Sequence, residues 1–580
     1  MKADLILFNG SVFSVDGADK IHRAEAVIVK DGKILALCAS SEIKPYISEH
    51  TEVIDCKGNT ILPGICDGHC HPGWAASFFE ACQLFDIIGA PQDTSREVMQ
   101  RYLERLSEYV QASQQASIIR GAGWNRAFFA GACKEARWPT RHDLDRICSD
   151  KPVVLESYCQ HVLWVNTKAI ELAGLSEKTE EPESGVIFRE ANGYPSGLFF
   201  EMEAQRLIKD RLPGYDYSVE QYKQTIRRYQ RELANPYGVT LIQDCLHTEN
   251  AKTAYKELAK AGELTMRVRG VYHLDNLCDP DAIDGIAARK GMDNVNDTFE
   301  INTIKIFLEG EFTMIEPYET KVLKEQGLPK DYGGVLFYDD QTVKKAVVRA
   351  VETGMQIHIH AMGDRAVKQA VESLVYAQNK THTKNRNVIA HLMAVGEEEI
   401  KAMGRNQILC NCQPRWMVYD SDAAEYYSSY FGRSRTLNFY PNQRLLDAGC
   451  MVAYGTDFPV TPPPNPFHGI QCAVTRSVFP DGTDEFARYK GTVLGPDNAP
   501  RQDCVSLANA IKSSTYSVAW QLFLEKVTGS IEPGKSAELV ILDCNIEQVE
   551  QDELYKIGVE RTIFKGKSVY IRERKERVFE

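Results

Sequence analysis

Ionisable side chains that could bind a metal ion stand at or near the ends of separate apolar runs in this sequence. His69 and His71 close one such run, and Lys305 lies inside another. The other members of the set are His360, His391 and Asp457. Imidazole nitrogens and carboxylate oxygens bind Zn²⁺ and related divalent ions such as Mn²⁺, Fe²⁺, Ni²⁺ and Co²⁺. These residue types therefore predict a site for a divalent metal ion, with Zn²⁺ favoured.

The spacing of the first two histidines supports this prediction. Alternate residues of a β-strand point to the same face, so His69 and His71 can bind one ion while Cys70 points to the opposite face. A pair of hydrogen-bonded histidines at a loop edge is the alternative interpretation of such a short pattern. The remaining histidines and the aspartate favour the metal site, because each of them ends a predicted strand of its own.

Eight short β-rich runs carry or accompany these side chains and alternate with helical patterns. Helical periodicity is clear in 341–354 and 363–378, for example. Eight strand-then-helix units are the count of a TIM barrel, in which the carboxyl ends of the parallel strands meet at one mouth. The predicted strands are 65–71, 238–245, 267–273, 303–310, 356–363, 387–393, 407–413 and 450–457. The barrel therefore brings the candidate ligands together.

Two parts of the chain fall outside this alternation. The segment 72–237 is too long for one connecting helix, so we expect an insertion after barrel strand 1 that overhangs the active site. Both termini have the pattern of short strands with tight turns, and neither is long enough to bury a core alone. We predict an α/β chain with a (β/α)8 TIM barrel over 61–529 and a small β-sandwich domain built from 1–60 and 530–580.

Composition argues against several classes of function. Acidic side chains outnumber basic ones by 80 to 67, giving a net charge of -13 without a basic cluster, so we expect no nucleic-acid partner. No apolar run approaches the roughly 18 residues of a membrane span, so we expect no membrane partner. The 16 cysteines include no C-x-x-C pair, which predicts reduced thiols and a cytoplasmic location. The expected partner is a small-molecule substrate, and a homodimer stays open.

Several stretches of the sequence form a recognisable series. They are LPGICDGHCH (62–71), IHAMGD (359–364), VIAHLM (388–393), AYGTDFPV (453–460) with the following PFHGIQCAVTR, and GSIEPGKSAELVILD (529–543). Together they resemble the amidohydrolase superfamily, specifically amidohydrolase family 3, which includes N-substituted formamide deformylases. The motifs occur in the order of that family over nearly the whole chain. The resemblance implies a metal-dependent barrel enzyme that hydrolyses a carbon–nitrogen bond other than a peptide bond.

The resemblance also implies roles for individual residues. The implied metal-site residues are His69, His71, His360, His391 and Asp457. Lys305 becomes a candidate for N-carboxylation, as a bridge if two ions rather than one are bound. Relatives usually carry Asp-Gly after that strand, whereas this chain has Glu309 and Gly310. The alternative for Lys305 is a salt bridge to Glu309 or Asp457, since a lysine that points into a barrel mouth needs a partner.

The predicted chemistry is attack of water on a carbonyl carbon, promoted by the metal ion. Asp457 is the candidate proton shuttle, and His391 is a further catalytic candidate; either His391 or His161 could support the developing oxyanion. The expected substrate is a linear N-acyl or N-formyl amine. A cyclic amide, an ester, an aminopyrimidine-like ring or an N-acyl amino acid stays open, and so does a non-catalytic metal-binding barrel.

Three residues of the insertion are candidate substrate contacts. Trp124 is expected in an aromatic lid together with Trp164 and nearby phenylalanines, which would favour an uncharged, partly hydrophobic substrate. His161 is a polar member of an apolar segment, and an interior histidine with satisfied hydrogen bonds is the equal alternative. Arg126 lies close to Trp124, and an inward guanidinium would instead select a carboxylate.

Overall fold

The computed structural model describes residues 1–87, 93–129, 137–182, 185–274, 276–310, 312–325, 328–461 and 463–573. The chain divides into two compact units, which we call the barrel unit and the insertion unit. The barrel unit comprises Met1–His71, Ile226–His247 and Tyr255–Glu580, and the insertion unit comprises Pro72–Thr225 and Thr248–Ala254. None of the helices within the described ranges is long and apolar enough to cross a membrane.

A parallel sheet of eight strands forms the centre of the barrel unit. In chain order, barrel strands 1 to 8 are Ile65–Cys70, Val239–Asp244, Arg267–His273, Phe299–Phe307, Gln356–Ala361, Val388–His391, Leu409–Cys412 and Val452–Tyr454. Each strand pairs in parallel with the next one along the chain. The Asp457 backbone N–H donates to the His69 carbonyl at 2.8 Å, which brings the segment after strand 8 beside strand 1. This nearly closed TIM-like barrel confirms the barrel part of the predicted fold class.

The helices between these strands follow the periodicity of the sequence. In Asp340–Glu352, the Asp339 carboxylate accepts hydrogen bonds from two N–H groups of the first turn, and the buried side chains recur at helical spacing from Val343 to Val351. The other helices after barrel strand 1 that reach into this unit are Val219–Tyr229, Glu249–Ala261, Pro280–Arg289, Thr320–Glu325, Asp364–Thr381, Glu397–Asn406, Ser428–Phe431, Arg433–Thr436, Asn442–Asp447, Pro466–Thr475, Glu485–Tyr489, Leu507–Ser513 and Tyr516–Gln521.

Strands from both ends of the chain build two further sheets in the barrel unit. One contains Leu5–Phe8, Ala26–Lys30, Lys33–Cys38 and Glu52–Asp55, and the other combines Ser11–Val12 and Thr60–Pro63 with Leu539–Leu542, Val559–Phe564 and Lys567–Ile571. Asp31 and Gly32 both have positive φ, at 49° and 72°, as a two-residue hairpin loop requires. Leu5 and Val27 of one sheet share a buried cluster with Leu539 of the other. A separate sandwich domain with the limits 1–60 and 530–580 remains a proposal.

The insertion unit has a six-stranded sheet of its own. In sheet order its strands are Cys82–Gln83, Ile119–Trp124, Val153–Ser157, Val162–Val165, Pro195–Phe200 and Val186–Arg189. Its helices include Ala75–Glu80, Ser95–Ala112, Arg141–Asp145, Thr167–Leu172 and Glu201–Lys209. Neighbouring residues of one strand belong to different buried clusters, Leu155 to one and Val154 to the other, so apolar side chains cover both faces of the sheet. The predicted limits of 72–237, and a position over the active site, remain proposals.

Candidate metal centre

Three of the predicted ligands meet at the mouth of the barrel. One ligand atom from each of His69, His71 and Asp457 lies within 4.8 Å of the other two. Asp457 Oδ1 is 2.9 Å from His71 Nε2 and 3.3 Å from His69 Nε2. All three residues are buried. The barrel closure explains their meeting, because the bond from the Asp457 N–H to the His69 carbonyl fixes one strand end against the other.

The remaining predicted ligands lie beside this group. The centroid of the His391 ring is 4.8 Å from that of His69 and 4.4 Å from that of His360. In the parallel pairing of strands 4 and 5, Lys305 is opposite His358 and Phe307 is opposite His360. The positive charge of Lys305 acts on both His69 and His391. The structure therefore brings all six predicted metal-site residues to one region.

Lys305 is fully buried, and its Nζ has no hydrogen-bond partner among the described residues. Burial lowers the pKa of this amine to about 8, because the ammonium ion loses its water. The alternative salt bridge to Glu309 is wrong: the Glu309 carboxylate accepts hydrogen bonds from the backbone N–H groups of Thr313, Met362 and Gly363. Within the described ranges, Lys305 forms no ion pair with Glu309 or with Asp457.

The donor set fits a divalent cation. Like Lys305 Nζ, His69 Nε2 is buried and makes no hydrogen bond to a described residue, which is rare for buried polar atoms and indicates an absent partner. Burial lowers the pKa of His391 to about 3 and holds the pKa of His69 well below its ordinary value. Both rings are therefore neutral at pH 7 and have a nitrogen lone pair to offer a metal ion.

Two of the candidate ligands have an unusual backbone conformation. His391 has φ of 80° and Asp457 has φ of 57°, in the left-handed region that favours glycine. Such residues cost on the order of 1–3 kcal/mol each unless the surrounding structure imposes the conformation, and they cluster at functional sites. One candidate ligand at the end of strand 6 and one just after strand 8 thus share this backbone conformation.

The sequence analysis missed Gln243 and Cys245 around the centre, whereas the sequence predicts a supporting role for His358, which shares a strand face with His360. Cys245 forms a second group of close ligand atoms with His69 and His358. His358 Nε2 is 2.9 Å from His69 Nδ1, and its Nδ1 is 3.1 Å from Gln243 Oε1, so His358 supports a candidate ligand. The signal was present, since Gln243 and Cys245 alternate around the end of strand 2 as His69 and His71 do around the end of strand 1.

Trp124 does not have the predicted environment. It has no exposed surface, and its indole N–H donates to the Leu155 carbonyl at 3.1 Å. The ring of Trp164 packs against it, with centroids 5.7 Å apart, in the core of the insertion unit. This corrects the expectation of an aromatic lid, because a ring without accessible surface cannot present a face to substrate. The aromatic residues of this segment form a core instead.

His161 and Arg126 lie in one polar cluster of the insertion unit. His161 Nδ1 is 2.9 Å from Glu201 Oε2. Burial alone would lower the pKa of His161, but the charge and hydrogen bond of Glu201 outweigh it, and the pKa is raised. Arg126 acts electrostatically on His161 and on Cys159, a further residue that the sequence analysis missed. Substrate contact by His161 and Arg126 remains a proposal.

Known proteins provide an independent comparison. The amidohydrolase family model matches residues 52–570. Putative amidohydrolase YtcJ of Bacillus subtilis (strain 168) is 27% identical to this chain, over 94% of this chain and 96% of its own. N-substituted formamide deformylase of Arthrobacter pascens is 25% identical, over 97% of each chain.

A solved structure agrees on the fold. The crystal structure of an uncharacterized metal-dependent hydrolase from Pyrococcus horikoshii OT3 superposes with a TM-score of 0.70 at 22% identity, covering 94% of this chain and 99% of that chain. At this identity the likeness concerns the fold alone. The family model, in contrast, spans most of the chain and includes every residue of the metal centre. This protein belongs to the amidohydrolase family.

Proposed function

We propose that this protein is a metal-dependent hydrolase of a linear, non-peptide amide, such as an N-acyl or N-formyl amine. The observation that carries the proposal is the convergence of buried His69, His71 and Asp457 beside a Lys305 amine that has no hydrogen-bond partner among the described residues. A group of this kind holds a cation and places a carboxylate next to it. An amide substrate is supported by the Arthrobacter relative, which is named for N-substituted formamides.

The proposed ligands hold one or two divalent ions, with Zn²⁺ favoured. They are His69, His71, Lys305, His360, His391 and Asp457. A bound ion supplies Lewis acidity, which lowers the pKa of water and polarises a carbonyl oxygen. Lys305 contributes as a carbamate: its neutral amine bonds to the carbon of CO₂ and loses one proton, and the new carboxylate can bridge two ions. The pKa of about 8 leaves part of the amine neutral at physiological pH.

Asp457 is the proposed proton shuttle. It accepts a proton from the attacking water as the water oxygen bonds to the carbonyl carbon. It then delivers this proton to the nitrogen as the carbon–nitrogen bond breaks, which yields a carboxylic acid and an amine. Asp457 Oδ1 lies 2.9 Å from His71 Nε2, which places the carboxylate directly beside a proposed metal ligand. For His391, stabilisation of the oxyanion is the alternative to metal ligation.

Two aromatic rings of the barrel unit support a partly hydrophobic substrate. Phe307 stacks on His360 with centroids 5.1 Å apart, and Trp416 stacks on His391 at 5.6 Å. Both rings are half-buried, so each keeps accessible surface beside the centre. They replace the insertion tryptophans as the support for an apolar substituent on the substrate.

The location in the cell is a further proposal. The cysteines that the structure describes are all free thiols. Reduced thiols are typical of cytoplasmic proteins. We therefore propose a cytoplasmic enzyme that acts on a small molecule.

The test combines metal analysis with a substrate panel. Protein purified without chelator is analysed for bound metal by mass spectrometry and assayed with N-formylbenzylamine, N-acetylbenzylamine, N-acetylphenylalanine, a cyclic amide and an ester. We expect bound divalent metal and the highest kcat/KM for a neutral linear amide. Asp457→Asn, assayed at equal metal content, is the control for a contaminating hydrolase.

Each arm of the panel has a defined meaning. A large preference for N-acetylphenylalanine would replace the neutral amide by an N-acyl amino acid and would favour an inward Arg126. A preference for the cyclic amide or the ester would assign the protein a different substrate class, hydrolysed by the same chemistry. Protein that binds metal stoichiometrically but hydrolyses no member of the panel would contradict the proposed function.

A further inference from the structure

Four buried amides and one buried imidazole form a continuous hydrogen-bonded series, which we call the amide chain, between two of the proposed metal ligands, His69 and His391. Its members are His358, Gln243, Gln521, Asn411 and Gln413, and each has no exposed surface. Four of them lie on or directly after barrel strands, whereas Gln521 ends the helix Tyr516–Gln521. No role in metal binding or proton transfer falls to these five side chains in the proposed function, so their arrangement requires another explanation.

The chain is hydrogen-bonded at every link from His391 to Gln521. His391 Nδ1 is 2.9 Å from Gln413 Oε1. Gln413 Nε2 donates to Asn411 Oδ1 at 3.0 Å. Asn411 Nδ2 donates in turn to Gln521 Oε1 at 3.0 Å. Side chains of strand 6, strand 7 and the helix are thereby joined.

The second half of the chain runs from Gln521 to His69. Gln521 Nε2 donates to Gln243 Oε1 at 2.6 Å. The same oxygen is 3.1 Å from His358 Nδ1. His358 Nε2 is 2.9 Å from His69 Nδ1. His69 and His391, which lie on different strands, are thus the two ends of one series of hydrogen bonds.

Backbone carbonyls fix the orientation of the amides. A carbonyl oxygen only accepts hydrogen bonds, so the Gln521 atom 2.8 Å from the Gly68 carbonyl must be the nitrogen. This leaves Gln521 Oε1 as the acceptor for Asn411, whose own oxygen then accepts from Gln413. The only atom that Gln413 has left for His391 is its oxygen. His391 must therefore carry its proton on Nδ1.

The same reasoning applies at the other end. Gln356 Nε2 donates to the carbonyls of Arg386 and Gln521, so its oxygen accepts from the Thr303 hydroxyl. Thr303 in turn accepts from Gln243 Nε2 at 3.2 Å, which leaves Gln243 Oε1 to accept from His358 Nδ1.

A neutral His358 then has only the lone pair of Nε2 for His69. His358 has no exposed surface, and its ring nitrogens contact the neutral amide of Gln243 and the ring of His69, so the ring is neutral because a charge buried without an ionic partner is costly. Its Nε2 accepts a hydrogen bond from His69 Nδ1, 2.9 Å away. Both His69 and His391 are thus held with the proton on Nδ1 and the lone pair on Nε2. A lone pair on Nε2 suits metal ligation by His391 and not donation to an oxyanion.

We propose that Gln521 is a positioning residue that sets the Nδ1–H tautomer of both His69 and His391, through the amide chain, before metal binds. The inference rests on the proposed metal-dependent function and assigns a role to a residue that touches neither metal nor substrate. Ligands held in the binding tautomer need no rearrangement when metal arrives, and loss of such outer partners typically costs 10–100-fold in metal affinity.

The test measures the tautomers directly in the full-length, metal-free protein. With ¹⁵N-labelled histidine, two-bond ¹H–¹⁵N spectra distinguish a proton on Nδ1 from one on Nε2, and His69→Ala and His391→Ala spectra assign the two rings. In wild type we expect Nδ1–H for both. In Gln521→Leu we expect mixed tautomers and zinc affinity, measured by competition with a chelator, that is lower by about 10–100-fold.

The matched control is Gln369→Leu, which removes a buried glutamine of the same unit whose amide donates to the Tyr338 carbonyl and Asp340, outside the amide chain. It should leave both tautomers and the zinc affinity unchanged. A folded Gln521→Leu protein with wild-type tautomers and wild-type zinc affinity would overturn the proposal.

A second pair of variants decides the question if Gln521→Leu does not fold. Gln413→Glu keeps an oxygen acceptor for His391 Nδ1–H, whereas Gln413→Leu removes it. We expect the Glu variant to retain the tautomer of His391 and the Leu variant to lose it; the same tautomer in both would refute the proposal. Tautomers and zinc affinity are read without substrate, so absence of amide hydrolysis would refute the proposed function and leave this result standing.

Discussion

The metal centre and the insertion unit both hold ionisable side chains away from most of the solvent but differ in how these are partnered. In the insertion unit, Glu156 Oε1 is 2.8 Å from the Tyr215 hydroxyl and 3.1 Å from Lys209 Nζ. In the metal centre, Lys305 Nζ and His69 Nε2 have no hydrogen-bond partner among the described residues. A buried charge that finds its partner within the chain is satisfied by folding alone, whereas one that lacks a partner marks a place for a ligand.

The pKa directions express the same difference. Burial alone would raise the pKa of Glu156, but the charge of Lys209 outweighs it, and the pKa is lowered. For Lys305 burial dominates, and the pKa falls to about 8 despite the opposing effects of Cys245 and Asp457. Glu156 in the insertion unit therefore stays charged, whereas in the centre the His69 and His391 rings are neutral and part of the Lys305 amine is neutral at physiological pH.

Replacement of the Lys305 amine should have the largest effect. Lys305→Ala removes the proposed bridge, so we expect metal content to fall and kcat to drop by more than about 10⁴-fold, beyond the loss typical of one acid–base group. Metal analysis and a hydrolysis assay measure both. A short carboxylic acid such as acetate should restore part of the activity by occupying the position of the bridge.

The matched control for that experiment is Lys209→Ala, which removes a lysine that is already paired in the insertion unit. Its metal content should equal that of wild type. Full metal content and full activity in Lys305→Ala would show that Lys305, like the paired Lys209, is not needed for metal binding or catalysis.

The next largest effect is expected for Asp457→Asn. The amide keeps the shape of the side chain but cannot accept the proton of water, so kcat should fall by about 10²- to 10⁴-fold while the fold is retained. Steady-state kinetics at equal metal content and circular dichroism measure the two quantities. Asp503→Asn, which removes a buried carboxylate paired with Arg444, is the control and should leave kcat unchanged. Near-normal turnover of Asp457→Asn would assign the proton shuttle elsewhere.

Trp124→Ala tests the core assignment in the insertion unit. Truncation of a fully buried tryptophan should destabilise that unit by about 3–5 kcal/mol, because it leaves a cavity. Urea unfolding followed by the fluorescence of the remaining tryptophans measures this change. Trp138→Ala, at a half-buried ring of the same unit, should cost less. A raised KM with unchanged stability would instead support the interpretation of Trp124 as part of a lid over the substrate.

The smallest effect is expected for Glu201→Gln. The folded-state pKa of His161 is raised above 6.5, so the bond to Glu201 stabilises the protein fully below pH 6.5 and this contribution is lost as pH rises through the raised pKa. At acidic pH the variant should be less stable by about 1.5–3 kcal/mol, as for hydrogen bonds to charged groups. Urea unfolding at several pH values measures the difference. A difference independent of pH would show that His161 does not titrate against Glu201.

Much of the barrel could be predicted from the sequence, because β-rich runs and helical periodicity alternate regularly and each predicted strand is present. The candidate ligands could also be predicted, because histidines and an aspartate at strand ends are rare and lie in recognisable motifs. Gln521 could not be found in this way. Its partner Gly68 is 453 positions away, and a glutamine at the end of an apolar helix has no signature of its own.

For Trp124, the sequence analysis identified the residue but predicted the wrong environment for it. Aromatic rings serve equally in a lid and in a core, and only packing decides between the two. In this chain the neighbouring strand supplies Leu155 as the hydrogen-bond acceptor and Trp164 packs against the ring, contacts that depend on how the sheet of the insertion unit is paired.

The sheet that combines both ends of the chain has a consequence for synthesis on the ribosome. Thr60–Pro63 pairs on one side with Ser11–Val12 and on the other with Leu539–Leu542. At about 5–20 residues per second, roughly 25–95 s separate the emergence of the two central strands. During this interval the first strand has an open edge that can pair with another nascent chain. We therefore expect the yield of soluble protein to depend on chaperones that shield the N-terminal strands until translation ends.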